Sequence, residues 1–415
     1  MSLMLRIIHT ADFHLGASLR ERPVGTSLKR EEDFIRQMWR IRDETLKMNA
    51  DFLIIAGDIF HHIPPSGTIF AEFASFLNEI TKNEIYVIVS AGNHDIPRGE
   101  YLKSHLTGIH ELKSDKFIFA ERGFREFEAV GRRSGRKVAF LLIPYIHKSI
   151  KLDISNEAIH DRDLSKIVSK ILNEKVEKFI DNHQSADYKI IVAHCLVEGA
   201  ICGSERRITA IDDICISRGA FNKSELDYVA LGHIHHHQRI TDKIIYAGSI
   251  EKVDFGEENE DKFLTVIEEE KNELKAREIE LKCRPMITIP KDKKYFDLRG
   301  LNNPTDHLLS MLLNHKINFK DAIIRVKALV TPDQNTLIYE DKIEKALKSK
   351  GAFYSFIDIT SEEVEYEENR EETEKFEDTL RKYIEEIGVR KRISRDDVEL
   401  IYNEALRIWR MQHEY

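Results

Sequence analysis

The sequence predicts an α/β fold in which strands and helices form layers. Its clearest signal is residues 86–90 (YVIVS), a short apolar run that stops at the glycine-containing sequence AGNHD. A run this short and this rich in β-branched residues is typical of a strand buried on both faces of a sheet. Apolar runs, polar tips and helical periodicity recur along the chain, and this repetition is typical of layered α/β domains.

Apolar runs and helical periodicity predict the elements of the first part of the chain. Apolar runs predict strands at residues 5–9, 52–56, 86–90, 138–144, 189–193, 228–231, 244–247, 263–268 and 274–281. Apolar residues at helical spacing predict helices at residues 32–48, 68–80 and 163–181. The polar, glycine-containing residues 122–137 predict a hairpin or a surface loop.

The length indicates more than one domain. A chain of 415 residues exceeds the roughly 250–300 residues at which single cores stop growing. We expect a first domain at residues 1–285 and, after a boundary near Pro285, a small α/β domain at residues 286–360. The acidic residues 361–373 predict a solvated linker, and residues 374–415 predict two amphipathic helices.

Charge and cysteine usage exclude several classes of protein. The net charge of −9 and the pI near 6.1 argue against a protein that coats nucleic acid by bulk charge, so a polyanion site would have to be local and assisted by metal. The four cysteines show no CxxC spacing and predict reduced thiols in a cytoplasmic protein. No run approaches the about 20 apolar residues of a membrane span, so we expect no membrane association.

Metal-binding residue types follow five of the expected strands. They are Asp12, His14, Asp58, Asn93, His194, His233 and His235. A single histidine at a strand end is usually structural, but seven donors at one edge of one predicted sheet indicate a metal site. Imidazole and carboxylate donors without thiolate suit manganese, iron or zinc. Two ions about 3.5–4 Å apart can hold the attacking and leaving oxygens of a displacement at phosphorus, and a bridging carboxylate such as Asp58 would keep them that close.

Other residues near these tips suggest supporting roles. In GNHD, the imidazole of His94 can donate a proton, and the carboxylate of Asp95 could orient it. Residues 195–218 show little periodicity and directly follow His194. Long loops in such a position are often lids or substrate contacts.

The motifs resemble those of a known enzyme superfamily. DFH, GDIFH, GNHD, the single His194 and GHIH occur in the order and types of the calcineurin-like metallophosphoesterases. Within that superfamily, ADFHLG, VALGHIH and YAGSIEKVDFGE, followed by CRP, resemble the SbcD nuclease family. The resemblance covers roughly residues 5–285. It implies a layered β-sandwich flanked by helices, with a small α/β capping domain and C-terminal helices.

The resemblance also implies roles for individual residues. One manganese ion would be held by Asp12, His14, Asp58 and His235, and a second by Asp58, Asn93, His194 and His233. His94 would act on the phosphate as a proton donor or transition-state stabiliser. His61 would position the scissile phosphodiester.

The implied activity is that of a manganese-dependent DNA nuclease with exonuclease and endonuclease action. Such an enzyme processes double-stranded ends and single-stranded or hairpin DNA in double-strand-break repair. Its expected partner is a coiled-coil SMC-like ATPase bound through residues 374–415. A homodimer is also expected, and the candidate helices for its interface lie near residues 68–80 and 101–111.

Two other functions compete with this interpretation. A related phosphoesterase could act on a small nucleotide or a phosphoprotein, although a compact phosphatase needs neither the second domain nor the terminal helices. A non-catalytic scaffold could keep the sheet without metal. All seven expected ligands and His94 are present, which disfavours a scaffold.

Overall fold

The fold is built on two six-stranded β-sheets. The computed structural model describes residues 4–19, 28–97, 102–111, 115–147, 161–203, 213–314, 317–361, 380–381, 383–385 and 397–405. Their strands are β1 (Arg6–Thr10), β2 (Ser18–Leu19), β3 (Leu28–Lys29), β4 (Phe52–Ile55), β5 (Tyr86–Ser90), β6 (Phe117–Ala120), β7 (Arg125–Val130), β8 (Lys137–Ile143), β9 (Tyr188–His194), β10 (Leu196–Val197), β11 (Cys215–Ile216), β12 (Tyr228–Gly232), β13 (Gln238–Arg239), β14 (Ile244–Tyr246), β15 (Lys262–Glu270), β16 (Glu273–Leu281), β17 (Met286–Ile289), β18 (Phe296–Asp297), β19 (Ile323–Val330) and β20 (Tyr354–Ser361).

The helices of the described residues are α1 (Glu31–Lys47), α2 (Gly67–Thr81), α3 (His105–Glu111), α4 (Asp161–Asn182), α5 (Pro304–Leu313) and α6 (Glu340–Ser349). The three that periodicity predicts, α1, α2 and α4, lie close to their expected bounds. Short 3₁₀ helices occur at Arg218–Ala220, Phe255–Glu257 and Pro332–Leu337. Within the described parts of the chain, no helix combines the length and the apolar character that crossing a membrane requires.

Four neighbouring strands of each large sheet are parallel, and antiparallel strands lie at one edge of the first sheet and at both edges of the second. The first sheet has the order β16-β15-β1-β4-β5-β6, in which β1, β4, β5 and β6 are parallel. The second has the order β13-β14-β12-β9-β8-β7, in which β14, β12, β9 and β8 are parallel. Since parallel strands all end on one side, each sheet gathers its strand tips along a single edge.

The two sheets pack face to face. A cluster of buried side chains between them includes Ile54 from the first sheet and Phe140 and Ile190 from the second. Helices α1 and α2 cover the outer face of the first sheet, and α4 covers that of the second. The layered sandwich implied by the resemblance is therefore confirmed.

The expectation that all the metal-binding tips belong to one sheet is wrong. The tips of β1, β4 and β5 belong to the first sheet, whereas those of β9 and β12 belong to the second. Both sheets are covered on both faces, so their strands are equally apolar in the sequence. The apolar pattern predicts each strand but does not say with which partner it pairs.

A third, smaller sheet lies in residues 286–361. Its strands β17, β18 and β20 all pair in parallel with β19. Helices α5 and α6 pack on this sheet around Leu308, Ile324 and Leu347. Its main elements follow the order strand, helix, strand, helix, strand, with the two-residue β18 in addition, so the predicted α/β composition is present. The exact boundaries of this small domain stay a prediction.

A buried ion pair joins the small domain to the first domain. The carboxylate of Asp33 on α1 accepts hydrogen bonds from Arg284 Nε and Nη2 at 2.9 and 2.8 Å. Arg284 also pairs with Asp321 of the small domain and stacks on the ring of Phe353. Burial opposes ionisation of Asp33, but Arg284 holds the pKa of its carboxyl below the ordinary value.

The described residues near the C-terminus form two helical pieces that pack against each other. Residues 397–405 are helical, and Tyr402 packs with Ile384 and Leu380 of the preceding piece. The predicted linker, apart from Ser361, lies outside the described residues, as do residues 406–415 of the predicted terminal helices.

The junction gives a stability prediction. Replacement of Arg284 with methionine should lower the free energy of unfolding by about 3 kcal/mol, because the buried carboxylate of Asp33 loses a partner. Urea denaturation followed by circular dichroism measures the change. The control is Arg277→Met, which removes an exposed pair with Glu268 and should cost at most about 1 kcal/mol. Equal, small losses in both variants would contradict a stabilising role for the junction.

Candidate metal centre

The strand tips of the two sheets meet in a single buried cluster. From the first sheet come Asp12 and His14 after β1, Asp58 after β4 and Asn93 after β5; from the second come His194, the last residue of β9, and His233 and His235 after β12. All seven predicted metal ligands are therefore brought together, and six of them are buried.

The backbone at these tips departs from ordinary strand geometry. Positive φ angles of 49°, 42°, 51° and 98° occur at Asp12, His14, Asp58 and His233. Non-glycine residues adopt this region at a cost and are often found at functional sites. The backbone is bent so that the side chains at these positions face one another.

Glycines allow the tips to approach closely. A Cβ on Gly92 would lie 2.7 Å from the carboxylate carbon of Asp58. A Cβ on Gly232 would lie 2.9 Å from that of Ala11 and would collide with the carbonyl group of Ala56. A larger residue would not fit at either position, so the close approach of the tips requires glycine in both the GNHD and the GHIH motifs.

Asp12, His14 and His235 form one part of the cluster, with ligand atoms within 4.8 Å of one another. The Nε2 atoms of His14 and His235 are 2.9 Å apart. At imidazole–metal bond lengths of roughly 2.0–2.1 Å, neighbouring ligand nitrogens lie about 3 Å apart, so this spacing fits two ligands of one cation. Burial and the neighbouring His235 hold the pKa of His14 well below its ordinary value, which favours the neutral form that binds metal.

Asn93, His194 and His233 form the second part. Asn93 Oδ1 lies 3.1 Å from His194 Nε2 and 3.2 Å from His233 Nδ1. His194 Nδ1 donates to the carbonyl of Ala56 at 2.7 Å, which leaves Nε2 facing the cluster. Such a hydrogen bond on the far nitrogen is the usual way in which a ligating histidine is oriented.

Asp58 lies between the two parts. Its Oδ2 is 3.7 Å from His14 Nε2 and 3.5 Å from His194 Nε2. Burial opposes ionisation of Asp58, but His194 and His94 hold the pKa of its carboxyl well below the ordinary value. In return, Asp58 offsets the effect of burial on His194 and raises its pKa to about 9. The centre therefore favours positive charge at this position.

The donor set fits divalent cations. Imidazole, carboxylate and amide donors without thiolate are typical ligands of manganese, iron or zinc. Cys195 follows His194 directly, but it is a buried thiol whose pKa is raised by burial. Cys195 packs in the apolar core of the second sheet rather than with the clustered donors.

His61 and His94 lie beside the seven donors. His94 Nδ1 donates to the carbonyl of His61 at 2.9 Å, and His61 Nδ1 lies 3.3 Å from His14 Nδ1. The rings of His61 and His94 stack with centroids 5.4 Å apart. Both residues are partly exposed, so they line the accessible side of the centre.

Asp95 has a different role from the expected one. Its carboxylate accepts backbone hydrogen bonds from Ile59 at 2.9 Å, Phe60 at 3.2 Å and Gly92 at 3.0 Å. Instead of orienting the ring of His94, it ties the tip of β4 to that of β5. Burial, together with the charge of Asp58, raises the pKa of Asp95 to about 7.

Two carboxylates that contact candidate ligands were not predicted from the sequence. Asp213 Oδ2 lies 2.8 Å from His233 Nε2, and its Oδ1 accepts a hydrogen bond from Tyr145 at 2.7 Å. Glu257 Oε1 lies 2.8 Å from His235 Nδ1. Asp213 belongs to the loop expected beside the site, and Glu257 belongs to the DFGE motif. Its place in the DFGE motif is the only signal in the sequence that could have identified Glu257.

Comparisons with known proteins show which proteins the chain resembles. A family model described as calcineurin-like phosphoesterase matches residues 5–237, more than half of the chain. The SbcD component of the SbcCD nuclease of Staphylococcus epidermidis is 27% identical over 275 residues, covering 65% of this chain and 67% of that protein. A solved dimetal phosphatase from Danio rerio is 12% identical, with a TM-score of 0.38, and covers 67% of this chain and 99% of that chain.

These findings confirm the resemblance that the motifs predicted. The curated relative is an SbcD-type nuclease component. The matched residues 5–237 contain all seven clustered donors as well as His61 and His94. With more than half of its residues matched, the chain belongs to the calcineurin-like phosphoesterase family of metal-dependent hydrolases.

Proposed function

We propose that the chain is a manganese-dependent DNA nuclease that hydrolyses phosphodiester bonds at DNA ends. The observation that carries this proposal is the convergence of seven donors from two sheets, with two further histidines at the accessible side. The similarity to a nuclease component favours DNA over a small nucleotide or a phosphoprotein. The intact donor set argues against a scaffold without metal.

The seven donors would hold two manganese ions. One ion would be bound by Asp12, His14, Asp58 and His235, and the other by Asp58, Asn93, His194 and His233. The position of Asp58 between His14 and His194 supports its role as the bridging ligand. When bound, such ions activate water and neutralise the charge that develops on the phosphate.

His94 would act on the phosphate. Because its Nδ1–H is donated to the carbonyl of His61, Nε2 is the nitrogen that can hold or release a proton toward substrate. A protonated Nε2 stabilises the developing charge or protonates the leaving oxygen. The backbone N–H of His94 donates to Asp58 Oδ1 at 2.8 Å, so the acid and the proposed bridging ligand are held together.

His61 would position the phosphodiester. Its ring stacks beside His94 on the same side of the centre, and its Nδ1 approaches His14. A group in this position can contact the DNA backbone next to the bond that is cleaved.

The remaining regions would bind DNA and partner proteins. We assign residues 286–360 to a domain that caps the metal edge and guides DNA, and residues 374–415 to binding of a coiled-coil SMC-like ATPase. A homodimer through α2 and the segment at residues 101–111 stays a prediction. A cytoplasmic location, expected from the cysteines, also stays a prediction.

Activity and metal content should separate the roles of His94 and Asp58. His94→Ala should keep both manganese ions and lose about 10²- to 10⁴-fold in cleavage rate, because only the proton donor is removed. Asp58→Ala should lose metal as well as activity. Mass spectrometry of bound metal after gel filtration, with cleavage of linear duplex, single-stranded and hairpin DNA, measures both effects.

For the unaltered chain, the rate of DNA cleavage is compared with the rate of hydrolysis of p-nitrophenyl phosphate. Faster manganese-dependent cleavage of DNA than of this ester supports a nuclease, whereas the reverse order favours a phosphatase. Loss of manganese from His94→Ala would contradict the role assigned to His94.

His61→Ala should affect DNA more than small substrates. The variant should retain most of its hydrolysis of bis-p-nitrophenyl phosphate, because the seven metal donors and His94 are intact. Resection of duplex DNA should fall at least about tenfold, since positioning of the long substrate is lost. Both rates are measured at saturating manganese. Equal losses on both substrates would refute a positioning role.

The exposed side chains of the terminal helices should bind the ATPase. Leu380 packs inside the helix pair, so the better targets are Tyr383 and Leu400, which are 61% and 70% exposed. Replacing both with glutamate should abolish co-purification with the ATPase, because a charge in an apolar interface is costly. Ile171→Glu on α4, also an exposed apolar position, is the matched control and should retain binding. Retained binding in the double variant would place the interface elsewhere.

A further inference from the structure

A 3₁₀ turn between β14 and β15 contacts both the metal centre and the small domain. It spans Phe255–Glu257, and its preceding residue Asp254 accepts a hydrogen bond from the backbone of Gly256. Phe255 and Glu257 are buried although they lie in a short turn. Their side chains have different partners, and those partners lie in different domains.

Toward the metal centre, the turn contacts the proposed metal ligand His235 through Glu257. Glu257 Oε1 lies 2.8 Å from His235 Nδ1, and Oε2 pairs with Lys262 Nζ at 2.7 Å. The same Lys262 donates to the backbone carbonyl of His235 at 3.0 Å. Val253 N also donates to Glu257 Oε2, at 3.2 Å. Both the ring and the backbone of His235 are thus tied to one buried pair.

Toward the small domain, the turn contributes Phe255, whose side chain is enclosed by residues of that domain. It shares an apolar cluster with Met286, Ile323 and Phe356. The rings of Phe255 and Phe356 meet edge to face with centroids 5.5 Å apart. The guanidinium of Arg325 lies 4.4 Å from the centroid of the Phe255 ring. Three of the strands of the small sheet therefore pack on this single aromatic side chain.

Glu258, the residue after the turn, adds polar contacts to the same domain. Its Oε2 accepts a hydrogen bond from Thr288 Oγ1 on β17 and lies 3.9 Å from Arg325 Nη2. Arg325 in turn donates to Thr288 Oγ1 at 2.9 Å. The turn is consequently fixed at both ends by residues 288 and 325 of the small domain.

We propose that Glu257 is a positioning residue for His235 and that the docked small domain sets its position through Phe255 and Glu258. The inference rests on the proposed metal function. Outer carboxylates that orient a ligating histidine typically contribute 10- to 100-fold to metal affinity. Because the turn also contacts the small domain, metal affinity should depend on residues of β17 and β19 as well.

The two metal positions should respond differently. His194 and His233 are oriented by the carbonyl of Ala56 and by Asp213, and neither group belongs to the turn. Disturbing the turn should therefore weaken the ion held with Asp12, His14 and His235 and spare the ion held with Asn93. We therefore expect metal affinity to fall at one of the two sites, and not at both.

Calorimetric titration of the full chain with MnCl₂ tests the role of Glu257. Glu257→Gln should raise the Kd of one site about 10- to 100-fold and leave the other within about threefold. Glu260→Gln is the matched control, because Glu260 pairs with the same Lys262, at 2.9 Å, whereas it is Glu257 that bonds the ring of His235. The control should keep both affinities. Thermal melting of each variant verifies that it is folded.

A double-mutant cycle tests the contribution of the small domain. Arg325→Ala should weaken the same site about 3- to 10-fold, whereas Arg299→Ala, which removes a surface pair with Asp297, should not. Adding Arg325→Ala to Glu257→Gln should cause little further loss, because both changes act through His235. A merely structural role would give additive losses at both sites.

The outcomes distinguish this inference from the proposed function. If the unaltered chain binds two manganese ions and Glu257→Gln binds them equally well, the positioning role is overturned and the proposed function stands. Additive losses in the double variant would overturn the coupling to the small domain. An unaltered chain that binds no manganese would overturn the proposed function and this inference with it.

Discussion

The close approach of the two sheets at their strand ends is the constraint on which the rest of the site depends. His194 Nδ1 donates to the Ala56 carbonyl at 2.7 Å, and the backbone N–H of His233 donates to Asp12 at 3.1 Å. Each bond joins a tip of one sheet to a tip of the other. Because the apolar layer between the sheets fixes their separation, packing far from the centre determines the distances between the donors.

Electrostatics explains why so polar a cluster is tolerated in a buried position. Burial raises the pKa of Asp12 to about 6, while neighbouring imidazoles keep Asp58 ionised. Carboxylates in such surroundings are costly unless a cation compensates them. A divalent cation bound by these side chains would supply that compensation. The cluster is therefore the kind of polar group that a functional site retains at some expense of stability.

Much of the site was predictable because strand ends and metal ligands both leave local signals. Asp58 and Asn93 each follow an apolar run and a glycine, so their position at a sheet edge followed from the pattern. The assignment of strands to two sheets was not predictable, since it depends on pairing between distant segments. Glu257 and Asp213 were missed for the same reason: their roles arise from contacts 22 and 20 residues away in the chain.

The segment between β14 and β17 explains how a second domain becomes part of the enzyme. Within it, Glu251 pairs with Arg30 beside α1 at 3.2 Å, Glu257 holds His235, and Glu258 bonds Thr288 of the small domain. Arg284, at the end of the segment, pairs with Asp33 and Asp321 in the two domains. The three acids face different neighbours although they lie close together in the sequence, whereas Arg284 follows them only after β15 and β16. A phosphoesterase without a second domain would need only the contact between Glu257 and His235, so Glu258 of this turn is best explained by the small domain that it bonds.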